Sequence, residues 1–115
     1  MEDLEEWIEE IKESGKLIIV EGQKDRKALE GLGPMNILSL KKPIYQVVEE
    51  AASSGKEVII LTDFDKKGKE LYGKLKKDLA KHGVKVDRYF REFLQRNTKL
   101  SHIEGIKTYI SNQEN

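Results

Sequence analysis

Two apolar runs are each followed by acidic residues: LIIVEGQKD, from Leu17 to Asp25, and VIILTDFDKKG, from Val58 to Gly68. Each run is short and rich in β-branched residues, and a polar stretch with a helical pattern follows it at once. These features are typical of buried parallel strands that lead into crossover helices. Ligands bind at the carboxyl ends of such strands, so Glu21, Asp63 and Asp65 are predicted to converge there.

Hydrophobic periodicity and turn residues divide the rest of the chain into alternating helices and strands. The predicted strands lie at residues 17–21, 36–40, 58–62 and 84–88. The predicted helices lie at residues 3–13, 25–32, 43–54 and 67–82, and a further C-terminal helix carries Ile103, Ile106 and Ile110. Parallel strands need helical crossovers, so the expected fold is α/β: a three-layer α/β/α sandwich with a four-stranded parallel, Rossmann-like sheet, an extra N-terminal helix and a C-terminal helix.

Length and composition favour one cytoplasmic domain. The 115 residues suffice for a single core, with residues 1–15 as a leading amphipathic helix and residues 16–110 as the core domain. Cysteine is absent, which excludes disulfides and thiolate zinc sites. No run is long enough to cross a bilayer and no signal-peptide pattern is present, so we expect no membrane association.

The net charge of zero conceals an uneven distribution of charge. Residues 1–14 carry seven acids against Lys12, a net of −6, whereas residues 66–99 carry twelve Lys or Arg against four acids, a net of +8. A basic excess beside an acidic site suits a polyanionic partner such as RNA or DNA, and a solvated helix face is the alternative. The acidic first helix leaves a protein partner or a homodimer open.

The acids carry the predicted chemistry. Alternate residues of an extended segment point the same way, so Asp63 and Asp65 can face one ion. Clustered carboxylates favour a hard divalent cation, Mg²⁺ first and Mn²⁺ second. Glu21 could share that metal, or it could act as a general acid or base if neighbouring acids raise its pKa. Asp25 is expected to cap the first crossover helix.

Glycines and lysines beside the acids predict phosphate binding. Gly22 and Gly68 lie where a strand turns into a helix, where backbone N–H groups can approach a phosphate. The cations expected to flank that phosphate are Lys24, Lys66, Lys67 and Lys69.

These residues resemble the Toprim domain, which topoisomerases, bacterial primases and the ribosomal-RNA maturation nuclease share. That family shows a strand ending in Glu-Gly and a later strand ending in Asp-x-Asp before a glycine, here Glu21-Gly22 and Asp63-Phe64-Asp65 with Gly68. The resemblance covers residues 16–110 and implies a four-stranded Toprim sheet. It also implies that Glu21 is the acid/base glutamate and that Asp63 and Asp65 bind Mg²⁺.

Two positions depart from the family pattern: Phe64 stands where Pro is frequent, and Lys69 stands where Glu is frequent. Either change could alter metal affinity or remove catalysis. The segment from His102 to Gly105 is similar to a motif of the maturation nuclease, and His102 is a candidate for phosphate binding or proton transfer. In size the chain is similar to the small stand-alone Toprim proteins.

Three functions compete. A small metal-dependent nuclease acting on RNA or DNA is the first, because the second domain of a topoisomerase and the zinc module of a primase are not seen. A non-catalytic module that binds metal and phosphate or nucleic acid within a larger complex is the second. A receiver-like phosphoacceptor at Asp63 is disfavoured, because such sites need paired acids after the first strand and only Glu21 is there.

Overall fold

The computed structural model describes residues 3–113, and within them the chain alternates between strands and helices. The ends of the predicted domain and the start of its leading helix, residues 1–2 and 114–115, lie outside the described residues. The strands are β1 (Leu17–Val20), β2 (Asn36–Ser39) and β3 (Val58–Ile60). The helices are α1 (Leu4–Glu13), α2 (Gln23–Glu30), α3 (Ile44–Ser54), α4 (Lys66–Lys81), α5 (Tyr89–Asn97) and α6 (Ile106–Gln113), and a 3₁₀ turn spans Ile103–Gly105.

The sheet is parallel, with β1 in the centre of the order β2-β1-β3. Leu17 pairs with Asn36 on one side and with Val58 on the other. The Leu61 N–H donates to the Ile19 carbonyl at 2.8 Å, which carries the contact one residue beyond the end of β3. The carboxyl ends of β1 and β3 therefore lie side by side.

The prediction of four strands is wrong for the described residues, because the segment 84–88 forms only one parallel bridge, between Val58 and Val86. The Val58 N–H donates to the Lys85 carbonyl at 2.9 Å, and the Asp87 N–H donates to the Val58 carbonyl at 2.8 Å. The chain then turns into α5, and the Asp87 carboxylate accepts from the Tyr89 N–H at 2.9 Å. That turn removes the segment from the sheet edge before a ladder can extend.

Helices cover both faces of the sheet, which gives the three layers. Ile18 and Val20 of β1 belong to one apolar cluster, to which α1, α2, α5 and α6 contribute. Leu17 and Ile19 alternate to the other face and pack with α3 and α4. Strands buried on both faces read as continuous apolar runs, as β1 and β3 do.

The first helix is fixed at both its start and its buried face. The Asp3 carboxylate accepts from the Glu6 N–H at 2.9 Å, which caps α1. Trp7 is fully buried, and its indole N–H donates to the Phe90 carbonyl at 3.0 Å. This bond ties the leading helix to α5. None of the helices within residues 3–113 has the length and apolarity that a bilayer crossing requires.

Candidate functional site

Glu21 and Asp63 meet at the carboxyl ends of β1 and β3. The Asp63 backbone N–H donates to Glu21 Oε1 at 3.1 Å, across 42 positions of the chain. Glu21 directly follows β1, and Asp63 comes three residues after β3. The parallel pairing of these two strands therefore places the two acids together.

Backbone N–H groups hold the carboxylates of Asp63 and Asp65 in fixed orientations. Asp63 is buried, with 8% of its surface exposed, and its Oδ1 accepts from the Ile103 N–H at 2.8 Å. Asp65 is exposed and is the N-cap of α4, because its Oδ1 accepts from the Gly68 N–H at 2.8 Å. Each carboxylate retains further lone pairs for a cation.

One set of side chains among residues 3–113 can hold a metal ion: Asp63, Asp65 and His102. One ligand atom from each of them lies within 4.8 Å of the others. His102 Nε2 is 3.4 Å from Asp65 Oδ2. Glu21 is adjacent to this set but is not a member of it. Two carboxylates and an imidazole suit a divalent cation: the carboxylates fit the Mg²⁺ or Mn²⁺ that the sequence predicts, and the imidazole fits a later transition ion.

Glu21 lies in an environment that favours its protonated form. Partial burial is the main cause that raises its pKa above the ordinary value, and the negative charges of Asp63, Asp65 and Asp25 add to it. The hydrogen bond from the Asp63 N–H opposes this rise. A carboxyl group of this kind can hold a proton closer to neutral pH than an exposed glutamate can.

Asp25 supports the start of α2 from inside the helix and not from the N-cap position that the sequence predicted. Gly22 is the N-cap, and Asp25 Oδ2 accepts from the Gly22 N–H at 3.0 Å. The carboxylate is buried, with 7% exposure. Burial first, and then the charge of Asp63, raise the pKa of Asp25.

Arg91 is buried and binds the backbone that follows β3. Its guanidinium donates to the carbonyls of Thr62 and Asp63, the latter at 3.0 Å. It is 4% exposed and lies between two aromatic rings, 4.6 Å from the centroids of Phe64 and Tyr72. Burial lowers its pKa, and Glu21 and Asp63 are among the charges that oppose this. Arg91 thus supplies positive charge behind the acids and fixes the backbone that carries them.

Gly68 lets the first turn of α4 touch the strand end. A Cβ at this position would overlap the carbonyl group of Asp63 and lie 2.9 Å from its Cα. The close approach allows the Thr62 hydroxyl to donate to the Gly68 carbonyl at 2.7 Å. The missing side chain at Gly68 is thus required by packing.

The predicted phosphate ligands surround the site at the starts of α2 and α4. The N–H groups of Gly22 and Gly68 donate to Asp25 and Asp65, so the glycines mainly shape the backbone. The four lysines are exposed: Lys24 lies on α2, and Lys66, Lys67 and Lys69 lie in the first turn of α4. Their ammonium groups are therefore accessible to an anion.

Sequence reasoning missed Arg91 and assigned no metal-binding role to His102. In the sequence Arg91 is one of many cations in a basic segment, although its neighbours Phe90, Phe93 and Leu94 predict a buried helix face. A cation on an apolar face would have been the signal. No local pattern ties His102 to Asp65, because the contact depends on how the loop after α5 folds back.

Comparison with known proteins identifies the family of this chain. The Toprim domain family model matches residues 16–94. A UPF0292 protein of Methanocaldococcus jannaschii is 38% identical over 117 residues, covering 96% of this chain and 91% of that protein. A UPF0292 protein of Thermococcus onnurineus is 42% identical over 105 residues, covering 90% of this chain and 77% of that protein.

A solved structure shares the fold as well. A protein from Aquifex aeolicus superposes with a TM-score of 0.84 and 36% sequence identity, covering 90% of this chain and 98% of that chain. Toprim domains usually bind Mg²⁺ in enzymes that process nucleic acids, and the family match spans Glu21, Asp63 and Asp65. The chain therefore belongs to the Toprim domain family.

Proposed function

We propose that this protein is a small metal-dependent nuclease that acts on a phosphodiester of RNA or DNA, with Mg²⁺ or Mn²⁺ as its cofactor. The observation that carries the proposal is the hydrogen bond from the Asp63 N–H to Glu21, because it joins the two acidic motifs in one place. A proton-transferring group and the metal-binding acids would then act on the same phosphate.

The residues that would hold the ion are Asp63 and Asp65. Their orientations are set by N–H donors from Ile103 and Gly68, so the carboxylates are in place before an ion binds. When bound, such an ion polarises a phosphodiester and stabilises charge on the attacking and leaving oxygens. The charge of Arg91 behind the strand end limits the repulsion between the acids.

Glu21 is proposed as the general acid or base. Its raised pKa supports this role, because proton transfer is most efficient when the pKa of the group lies near the working pH. Its hydrogen bond to the Asp63 N–H fixes its carboxyl group beside the metal-binding acids. A direct contact between Glu21 and the ion is a second proposed role.

The proposed substrate is a nucleic acid because of the surrounding charge. Residues 66–99 carry a net charge of +8, and exposed lysines lie at the starts of α2 and α4. Lysines that contact phosphates add affinity without reading sequence. We therefore expect binding that weakens with salt.

The alternative is a module that binds metal and nucleic acid without cutting, within a larger complex or as a homodimer. Lys69 favours it, because this exposed cation stands where the family often has a glutamate. Loss of an acid beside the site could remove catalysis and strengthen phosphate binding.

Incubation with end-labelled single- and double-stranded RNA and DNA, in Mg²⁺ or Mn²⁺, separates the two functions. Glu21→Gln is expected to abolish cleavage while it retains nucleic-acid binding, because the amide oxygen can still accept from the Asp63 N–H. Glu70→Gln is the matched control, since Glu70 is an exposed acid of α4.

Three results would contradict the proposed nuclease or its site. Retention of labelled nucleic acid without any cut product would support the binding module. Cleavage at the wild-type rate by Glu21→Gln, or unchanged metal binding by the Asp63→Asn, Asp65→Asn double variant, would remove the proposed site.

A further inference from the structure

His102 is held at the metal-binding acids by backbone contacts on both sides of it. The Phe64 N–H donates to the Ser101 carbonyl at 2.9 Å, and the Ile103 N–H donates to the Asp63 carboxylate at 2.8 Å. The residues before and after His102 are thus bonded to the segment that carries the Asp-x-Asp motif. The backbone position of His102 is therefore set by the same segment that carries the carboxylates.

The two ring nitrogens of His102 have different neighbours. Nδ1 lies 2.9 Å from Ser101 Oγ, and Nε2 lies 3.4 Å from Asp65 Oδ2. A neutral ring that donates from Nδ1 to Ser101 leaves the lone pair of Nε2 directed to the acids. Metal-ligating histidines are commonly fixed through their other nitrogen in this way.

The spacing fits one ion. Bonds of about 2.0–2.2 Å to a first-row ion place two ligand atoms about 3 to 4.4 Å apart. The His102–Asp65 distance of 3.4 Å lies in this range, and the atoms of Asp63, Asp65 and His102 together lie within 4.8 Å. A small rotation of the exposed side chains of Asp65 and His102 would bring the ligand atoms from within 4.8 Å of one another into this range.

We propose that His102 is the third protein ligand of the ion, and that the site consequently prefers later transition ions such as Co²⁺ over Mg²⁺. Imidazole suits the later first-row transition ions, whereas Mg²⁺ and Mn²⁺ select oxygen ligands. The inference rests on the metal site of the proposed function and names the class of cofactor.

A rival role for His102 is that of a protonated counter-ion to Asp65. The two roles predict opposite effects when the imidazole is removed. A ligand strengthens binding of transition ions, so its loss weakens that binding. A counter-ion competes with every divalent cation, so its loss strengthens the binding of all of them, Mg²⁺ included.

Calorimetric titration of the full chain with Mg²⁺, Mn²⁺ and Co²⁺ separates these roles. His102→Ala is expected to weaken Co²⁺ binding by about tenfold or more, since even outer-shell partners of ligating histidines are worth about tenfold. Mg²⁺ affinity is expected to stay the same, and the visible spectrum of bound Co²⁺ is expected to change. His82→Ala is the matched control, because His82 is exposed at the end of α4.

Two outcomes would overturn the inference: equal Co²⁺ affinity in wild type and His102→Ala, or tighter binding of all three ions in the variant. Asp63→Asn separates these from a failure of the proposed function. If Asp63→Asn removes binding of every ion and His102→Ala changes none, the acidic site stands and the histidine ligand is wrong. If Asp63→Asn leaves all three affinities unchanged, the metal site of the proposed function fails as well.

Discussion

Replacing Gly68 with alanine is expected to separate α4 from the end of β3. The added Cβ would overlap the Asp63 carbonyl group and lie 2.9 Å from its Cα. The atoms it meets belong to the backbone, so no side chain can rotate away to make room. Either the helix or the strand end has to move.

The magnitude follows from the contacts that such a movement breaks. Overpacking by one methyl group costs about 1–3 kcal/mol. The hydrogen bond from Thr62 to the Gly68 carbonyl and the Asp65 cap are each worth about 1 kcal/mol. The free energy of unfolding should therefore fall by about 3–5 kcal/mol, out of a total of about 5–15 kcal/mol for a typical domain.

Urea denaturation followed by far-ultraviolet circular dichroism measures this change. Gly73→Ala is the matched control on the same helix, because Gly73 is exposed and its Cβ would meet no atom within 4 Å. Helix propensity alone should make that variant more stable by about 1 kcal/mol. If Gly68→Ala is as stable as Gly73→Ala, the close contact between Gly68 and the Asp63 backbone does not contribute to stability as argued.

Three further predictions concern buried polar groups. Arg91→Lys should lower the free energy of unfolding by about 2 kcal/mol, because lysine cannot donate to two carbonyls from a flat, stacked group; thermal denaturation measures it. Burial raises the pKa of Asp25 above its ordinary value of 3.8, so the folded chain binds the carboxyl proton more tightly than the unfolded chain does. Stability therefore falls as pH rises from 3.8 through the raised pKa of the folded state. Asp25→Asn should therefore raise the melting temperature at pH 7 in EDTA, and the gain should vanish below pH 3.8, where both states are protonated; a constant gain would contradict this. Trp7→Phe should cost about 2–3 kcal/mol in urea denaturation, because it removes the indole hydrogen bond to the Phe90 carbonyl and leaves a cavity beside it.

The sequence predicts the centre of the fold because local pattern and topology agree there. The apolar runs that begin at Leu17 and Val58 are too continuous for a half-exposed strand, and parallel connection of the two places their ends together. The contact of Glu21 with the Asp63 N–H is a direct result of that pairing.

The rest depends on contacts that local pattern does not encode. Val84 and Val86 alternate with polar residues as a strand would, but the turn at Asp87 ends the pairing. Gly22 and Asp25 are both acceptable helix starts, and only the bond between them shows which is the cap. The position of His102 is likewise fixed by long-range contacts.

The Ile103 N–H that holds the Asp63 carboxylate lies beyond residue 94, where the family match stops. A fragment that ends at residue 94 would keep Glu21, Asp63 and Asp65 but lose the hydrogen bond from Ile103 that orients the Asp63 carboxylate. A domain shortened or transplanted at those borders should still match the family in an alignment, but its Asp63 carboxylate should be poorly oriented. The intact site therefore includes the segment after α5 that carries Ile103.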